Sequence, residues 1–215
     1  MKIVITGTSR GIGRAIAEKF LSCGHTVVGI DRDEAPFACK GYTHVRADIL
    51  TDALPALPGT EILINNAGVQ DSGHDIDVNL KGTIRVTEAY AFQDAVKSVL
   101  FIASASARNG AEFPEYAASK GGMVAYMKNV ALRIARFGAT ANSLSPGGVT
   151  TPLNDRVMRD KTLWDRIMAQ TLLPKWASAE EIAEWAYFLT AVNRSMTAQD
   201  LLIDNGEQAK AEFIW

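Results

Sequence analysis

Short apolar runs alternate with segments of helical periodicity along the whole chain. The first run covers residues 2–6, and in the segment after it Ile12, Ile16 and Phe20 recur on one helical face. The alternation continues to a last short run at residues 201–203. Strands that alternate with helices form right-handed βαβ crossovers, which build a parallel sheet covered by helices on both faces. We therefore expect one α/β domain over residues 1–215, doubly wound, with a central sheet of about seven strands.

The same patterns give approximate bounds for the elements. Strands are expected at residues 2–6, 26–31, 43–45, 61–65, 98–104, 140–144 and 201–203, and helices at 11–23, 78–96, 116–137 and 178–190. Gly138 should end the longest helix, and Ser178 with Glu181 forms a capping box at the start of the last one. The segment 48–59 has room for little more than a helical turn.

Composition and charge argue against several classes of protein. Lys and Arg number 22 against 24 Asp and Glu, so we expect no nucleic-acid surface and no anionic-membrane surface. No apolar stretch approaches the roughly 20 residues of a membrane helix. Cys23 and Cys39 lack the spacing of a zinc site, and the histidines are scattered, so we expect free cytoplasmic thiols and no metal. Because Met1 leads directly into a strand, no signal peptide is expected.

A glycine-rich loop follows the first strand and precedes the first helix. It reads Thr6-Gly7-Thr8-Ser9-Arg10-Gly11-Ile12-Gly13. Its glycines allow a tight turn, and the N–H groups at the helix start can hold a pyrophosphate. A purely structural turn is the alternative. The order strand, turn, helix favours a dinucleotide site in a Rossmann-type fold.

The second strand ends in Asp31, about 20 residues beyond this loop. A carboxylate there can accept hydrogen bonds from the ribose hydroxyls and would repel a 2′-phosphate. Arg10 and Arg32 favour NADP instead, and an aspartate that only opens a turn is a further alternative. We predict NAD, with NADP as the alternative, because a fixed carboxylate should outweigh two mobile, solvated cations.

From the glycine loop onward the chain resembles the short-chain dehydrogenase/reductase family. The family's cofactor motif Thr-Gly-x3-Gly-x-Gly is present at residues 6–13, Asn-Asn-Ala-Gly is present at 65–68, and Tyr-x3-Lys is present at 116–120. Asn205 replaces a glycine of the family's closing motif, and asparagine tolerates the left-handed backbone expected there. The resemblance covers nearly the whole chain and implies a nicotinamide-dependent oxidoreductase.

The resemblance also implies four catalytic residues. Tyr116 would exchange a proton with the substrate oxygen, and Lys120, one helical turn later, would favour the phenolate and bind the nicotinamide ribose. Ser104 would hydrogen-bond the substrate oxygen, with Ser106 as its rival because the family usually shows two adjacent serines here. Asn79 would anchor a water molecule of the proton relay.

Further matches assign contacts to the dinucleotide. Asp48 matches the family's adenine-contacting acid, and the Val149 backbone and the Thr151 hydroxyl would meet the nicotinamide carboxamide. The predicted cofactor residues are Gly7, Ser9, Arg10, Gly11, Ile12, Gly13, Asp31, Arg32, Asp48, Ile49, Asn66, Ala67, Gly68, Tyr116, Lys120, Pro146, Gly147, Val149 and Thr151.

The expected reaction is hydride transfer between the dinucleotide and a ketone or secondary alcohol. The segment after Thr151 is rich in apolar residues, which include Trp164 and Trp176, and packing explains about half of them. The remainder, together with the short segment between Asn66 and Asn79, predicts an open apolar cleft for a cyclic substrate such as a hydroxysteroid. The alternatives are an NADP-dependent reductase of 3-oxoacyl thioesters and a non-catalytic dinucleotide-sensing protein.

We also expect a homo-oligomer, a dimer or, preferably, a tetramer. The family resemblance places the interfaces on helices 78–96 and 116–137 and on the C-terminal strand region. The second of these helices is apolar beyond what one core face needs. The residues concerned are Gly121, Gly122, Met123, Ala125, Met127 and Val130. A fully buried helix in a monomer is the alternative.

Overall fold

Seven parallel strands form the central sheet in this computed structural model, which describes residues 1–35, 37–111 and 113–210. In chain order they are β1 (Lys2–Thr6), β2 (Thr26–Asp31), β3 (Tyr42–Arg46), β4 (Ile62–Asn65), β5 (Ser98–Ile102), β6 (Thr140–Pro146) and β9 (Asp200–Ile203). Two short strands, β7 (Val149–Thr150) and β8 (Ala177–Ser178), form a separate parallel pair. The order across the sheet is β3-β2-β1-β4-β5-β6-β9, so the winding reverses between β1 and β4. The predicted doubly wound sheet is confirmed.

Helices cover both faces of this sheet. They are α1 (Gly11–Ser22), α2 (Thr83–Tyr90), α3 (Ser106–Asn109), α4 (Pro114–Ile134), α5 (Asp155–Arg159), α6 (Lys161–Met168) and α7 (Ala179–Tyr187). A π-helical segment, Ile76–Gly82, leads into α2, and another, Phe188–Val192, continues α7. The predicted ends are confirmed at two places: Gly138 has a φ of 68° after α4 and its short 3₁₀ extension, and the capping box of Ser178 and Glu181 opens α7.

The predicted helix 78–96 is wrong at its C-terminal end, because α2 ends at Tyr90. The Gln93 side chain accepts a hydrogen bond from the Gly59 N–H at 2.8 Å and donates one to the Tyr90 carbonyl at 2.9 Å, which closes the helix. Ala91 and Val96 are buried beyond this point, so the apolar periodicity continues through a connection that is not helical. The prediction for 48–59 is confirmed, since these residues form only turns and irregular chain.

The core lies on both sides of the sheet. In β1 successive side chains alternate between the faces: Ile3 and Ile5 pack in the layer that includes α1 and α7, and Val4 packs in the layer that includes α2 and α4. Complete burial of each such side chain stabilises the fold by about 1.5–3 kcal/mol. Because all seven strands are parallel, the loops that follow β1, β2, β4, β5 and β6 meet at one edge of the sheet. Among the described residues, no helix is both long and apolar enough to cross a membrane.

Candidate active site

The glycine loop after β1 lies at the point where the winding of the sheet reverses. Gly7 has a φ of 74°, and a Cβ on Gly13 would lie 2.0 Å from the Gly7 carbonyl oxygen and 2.4 Å from Asn66 Nδ2. Asn66 Nδ2 in turn donates hydrogen bonds to the carbonyl oxygens of Thr6 and Gly7, each at 3.0 Å. Only glycine fits at position 13, and Asn66 ties the loop to the end of β4.

The start of α1 is suited to an anion. In the described chain no side chain caps this helix, and no acidic residue occupies its first turn. Its first N–H groups and the positive end of the helix dipole therefore point toward a site that fits a pyrophosphate. The Thr151 methyl group lies 3.6 Å from the position that a Cβ on Gly11 would occupy, so the predicted nicotinamide segment adjoins the loop. These features fit a dinucleotide.

At the end of β2, Asp31 is held by backbone groups from two directions. Its carboxylate accepts from Ser9 N–H at 2.8 Å and from Asp33 N–H at 3.0 Å. Arg10 is paired with Asp33 at 3.2 Å. The carboxylate is therefore fixed at the rim of the predicted ribose site, and one of the two cations that favour a 2′-phosphate already has an acidic partner.

The other predicted cofactor positions lie at the same edge of the sheet. The Ala47 N–H donates to the Asp31 carbonyl, which keeps Asp48 and Ile49 next to the end of β2. Asp48 Oδ1 accepts from the Leu50 N–H at 2.8 Å, and Ile49 is buried. Pro146 is the last residue of β6, and the Gly147 N–H after it bonds the Ile203 carbonyl at 2.9 Å; Val149 begins β7.

Lys120 is the most unusual ionisable group of the site. It is only 4% exposed, and its Nζ donates to the Ile102 carbonyl at the end of β5 at 2.8 Å. Burial lowers its pKa from 10.5 to about 8, against a smaller opposing effect of the Asp75 carboxylate. The ammonium form therefore still dominates at neutral pH, and its Nζ lies 5.7 Å from the centre of the Tyr116 ring. A Cβ on Gly68 would lie 3.5 Å from this Nζ, so the Asn-Asn-Ala-Gly segment reaches the same point.

Asn79 is fully buried in the π-helical segment. Its Oδ1 accepts from the Val69 N–H at 2.7 Å, and its Nδ2 donates to the Val69 carbonyl at 2.8 Å and to Ser119 Oγ at 3.0 Å. Ser119 Oγ donates to the Tyr116 carbonyl at 2.7 Å. The side chain thus links the segment after Gly68 to the start of α4. Our sequence reasoning missed Ser119, although it lies within Tyr-x3-Lys.

Ser104 follows β5 and is mostly buried. Its Oγ donates to Ser106 Oγ at 3.3 Å and accepts from the Ser106 N–H at 3.2 Å. The two rival serines therefore form one hydrogen-bonded pair at the start of α3. Ser104 lies two residues after Ile102, whose carbonyl accepts from Lys120 Nζ.

Two family profiles match this chain, one over its N-terminal segment and one over most of the rest. The profile of the short chain dehydrogenases matches residues 1–51, and a profile described as enoyl-(acyl carrier protein) reductase matches residues 47–208. The chain belongs to the short-chain dehydrogenase/reductase family. It is therefore an oxidoreductase that acts on alcohol or carbonyl substrates with a nicotinamide dinucleotide.

Relatives in this family are similar over nearly their whole length. Oxidoreductase UcpA of Salmonella typhimurium is 30% identical, over 94% of this chain and 92% of that protein. The 3-oxoacyl-[acyl-carrier-protein] reductase FabG of Buchnera aphidicola is 27% identical, over 94% of each.

Solved structures share the fold. A putative 2-deoxy-D-gluconate 3-dehydrogenase from Agrobacterium tumefaciens with bound NADP has a TM-score of 0.86 and 26% identity, over 97% of this chain and 96% of that one. A 4-hydroxyisoleucine dehydrogenase mutant complexed with NADH and succinate has a TM-score of 0.88 and 24% identity, over 99% and 100%.

Proposed function

We propose that this short-chain dehydrogenase/reductase uses NAD(H) to interconvert a secondary alcohol and a ketone, with Tyr116 as its acid–base group. The observation that carries the proposal is the buried Lys120 ammonium, which lies 5.7 Å from the Tyr116 ring and is bonded to the end of β5 beside Ser104. A buried cation near a phenol favours the phenolate form that general-base catalysis requires.

When bound, the dinucleotide supplies the hydride in reduction and accepts it in oxidation. In reduction, the hydroxyls of Ser104 and Tyr116 would hold the carbonyl oxygen, and Tyr116 would donate its proton to that oxygen as the hydride reaches the carbon. Lys120 would stabilise the resulting phenolate. Both hydrogens of Asn79 Nδ2 are donated to protein groups, the Val69 carbonyl and Ser119 Oγ. The predicted relay water would therefore bind the remaining lone pair of Asn79 Oδ1 or the Asn79 backbone carbonyl. Oxidation follows the same path in reverse.

The preference for NAD over NADP is supported by the charges around Asp31. A 2′-phosphate would approach this fixed carboxylate and also the acids Asp33 and Glu34. Two nearby cations are already paired with those acids: Arg10 with Asp33, and Arg46 with Glu34. The Arg32 side chain remains exposed. The ratio of kcat/KM for the two cofactors tests this preference, and a clear preference for NADP in the unaltered enzyme would contradict it.

The substrate that we propose is a largely apolar ketone or alcohol, such as a hydroxysteroid or an alicyclic alcohol. Leu153, Leu172 and Leu173, in the segment that follows Thr151, are 67%, 59% and 56% exposed, which supports an apolar surface near the cleft. The tryptophans support it less, since Trp164 and Trp176 pack edge to face with ring centres 5.0 Å apart. Trp176 also lies where a Cβ on Gly148 would be, so its main contribution is packing.

A reductase of 3-oxoacyl thioesters is the second candidate. It is supported by the full-length similarity to FabG. A panel that includes hydroxysteroids, alicyclic alcohols, 3-oxoacyl thioesters and sugar acids, read by the absorbance of the reduced nicotinamide, distinguishes the candidates. Activity on sugar acids alone would exclude an apolar substrate.

The Tyr116→Phe variant tests the chemistry and separates it from a dinucleotide sensor. It should nearly abolish turnover and leave NADH binding intact, because only the proton-transfer group is removed. Tyr126→Phe is the matched control, since Tyr126 lies on the same helix and its hydroxyl donates to Glu88 at 2.9 Å. If Tyr116→Phe retained most of its kcat, the catalytic assignment would be wrong.

We also propose that the protein is a homo-oligomer, preferably a tetramer. The helix α4 offers less to an interface than its sequence predicts, since Met123, Met127 and Val130 are fully buried in the core of one chain, and Gly122 faces Leu80. Other exposed apolar side chains support the proposal instead: Leu132, Trp185, Phe188 and Val192. Light scattering at micromolar concentration measures the mass, and a monomer would contradict the proposal.

A further inference from the structure

Two loops at the adenosine end of the site are joined by several hydrogen bonds. One is the segment 8–10 of the glycine loop. The other is the segment 31–34, which begins at the end of β2 and is called the ribose loop. Ser9 N–H donates to the Asp31 carboxylate, Ser9 Oγ donates to the Glu34 carbonyl at 2.8 Å, and Arg10 pairs with Asp33. The function of these residues at the ribose follows from the family, but a further connection between the same loops does not involve any of the predicted site residues.

This connection runs through three side chains. Thr8 Oγ1 lies 2.9 Å from the Tyr42 hydroxyl, which lies 3.0 Å from His44 Nδ1. His44 Nε2 lies 3.0 Å from the Asp33 carbonyl oxygen. The series therefore begins in the glycine loop, passes over Gly29 of β2, follows β3 from Tyr42 to His44 and ends in the segment 31–34, the ribose loop.

The chemistry of the groups fixes the direction of these bonds. The Asp33 carbonyl can only accept, so His44 Nε2 carries the hydrogen. In the neutral imidazole Nδ1 is then an acceptor, and the Tyr42 hydroxyl donates to it. The Tyr42 oxygen is left to accept from the Thr8 hydroxyl, so each donor has an acceptor and every bond points from Thr8 toward Asp33.

The surroundings are shaped for these side chains. Thr8 is fully buried, and a Cβ on Gly29 would lie 2.3 Å from the Tyr42 hydroxyl oxygen and 2.4 Å from Thr8 Oγ1. Gly29 in the middle of β2 thus leaves the space in which the two hydroxyls meet. The Phe37 ring packs on Tyr42 with centres 4.6 Å apart. Burial also raises the pKa of the Tyr42 hydroxyl, which keeps its proton for the bond to His44.

We propose that Tyr42 and His44 are positioning residues of the cofactor site. Their hydrogen bonds hold the glycine loop and the ribose loop at the separation that the adenosine half of the dinucleotide needs. The inference rests on the proposed dinucleotide function. Neither residue touches the reacting atoms, so the effect of removing either should be on cofactor affinity and not on the chemical step.

Tyr42→Phe tests the proposal, because it removes one hydroxyl and both of its hydrogen bonds. The Kd for NADH, measured by titration calorimetry, should rise about fivefold to tenfold, while kcat at saturating NAD stays within about twofold. Thr8→Val breaks the same series at its other end and should raise the Kd similarly. It also keeps the test open if Tyr42→Phe does not fold.

Tyr90→Phe is the matched control. Tyr90 is a buried tyrosine whose hydroxyl donates to the Pro55 carbonyl at 2.9 Å, far along the chain from both loops. Its loss should lower the unfolding temperature and leave the Kd for NADH unchanged. At position 44, glutamine keeps one donor and one acceptor, so His44→Gln should bind NADH more tightly than His44→Leu.

The outcomes separate this inference from the proposed function. If the unaltered protein did not bind NADH, both would be overturned. If it bound NADH but Tyr42→Phe raised the Kd no more than Tyr90→Phe, only the positioning role would be overturned. A fall in kcat with an unchanged Kd would overturn it as well.

Discussion

Lys120→Met should make the cofactor-free protein more stable at neutral pH, although it removes a residue that we propose to be catalytic. Burial holds the Lys120 pKa at about 8 against an ordinary 10.5. That difference corresponds to roughly 3 kcal/mol that the charged form costs the folded state. Methionine has a similar length and no charge, so it removes this penalty. It also leaves the Ile102 carbonyl without its donor, which costs about 1–2 kcal/mol, so the net gain should be about 1–2 kcal/mol.

The dependence of this gain on pH follows from the sign of the pKa difference. Below about pH 8 the lysine is protonated in both the folded and unfolded chains, and the whole penalty is present. Between about 8 and 10.5 the unfolded chain keeps a proton that the folded chain has lost, so the stability of the unaltered protein rises with pH. Above 10.5 the penalty is gone, and Lys120→Met should then be the less stable protein.

Urea unfolding of both proteins without nucleotide, at pH 7 and pH 10.5, measures the difference. Comparing the two proteins at each pH cancels the effects of other titrating groups. Lys128→Met is the control, since Lys128 is exposed on the same helix and should show little change. If Lys120→Met were less stable than the unaltered protein at pH 7, or if the difference were independent of pH, the reasoning about burial would be refuted.

Three further substitutions concern backbone positions. Gly13→Ala should abolish NADH binding in calorimetry and lower the unfolding temperature, because the new Cβ would lie 2.0 Å from the Gly7 carbonyl oxygen. Gly121→Ala is the contrasting case, because its Cβ would meet nothing closer than 3.9 Å, and it should stabilise α4 by up to about 1 kcal/mol. Asn205→Gly should keep or raise the unfolding temperature. Asn205 has a φ of 55°, which glycine adopts without strain, and its buried Nδ2 has no hydrogen-bond partner in the described chain. A clear loss of stability would contradict this prediction.

The sequence was sufficient for the parts of the fold that depend on local patterns. The unit of β1, glycine loop and α1 was predicted correctly because buried parallel strands read as apolar runs and the turn between them requires glycine. The end of α2 was not predictable in this way. Ala91 and Val96 are buried in the core just as helical residues would be, and the helix ends at Tyr90, where the Gln93 side chain bonds the Tyr90 carbonyl and the distant Gly59 N–H.

Periodicity also could not show what covers an apolar side chain. The sequence alone predicts an interface or a pocket for part of the set that includes Met123, Met127 and Trp176, and in the structure these three side chains pack within the chain. The bonds of Thr8 to Tyr42 and of Tyr42 to His44 had no sequence signal, because they depend on which strand lies beside β2 and on the space above Gly29.

Asn79 offers a test of whether its side chain holds the site together as the structure indicates. Asn79→Asp keeps the shape and the acceptor for the Val69 N–H, but it replaces the donor to the Val69 carbonyl and to Ser119 by a second oxygen. A buried carboxylate facing a carbonyl should destabilise the fold by about 2–3 kcal/mol at pH 7.

Burial and the carbonyl also raise the pKa of the introduced carboxyl, so the folded chain binds a proton more readily than the unfolded one. The variant should therefore recover part of its stability, relative to the unaltered protein, when urea unfolding is repeated at pH 5. Asn79→Ala removes the same donor without adding a titrating group, so its deficit should be the same at both pH values. If the deficit of Asn79→Asp were also independent of pH, the reasoning about a buried, destabilised carboxylate at this position would be refuted.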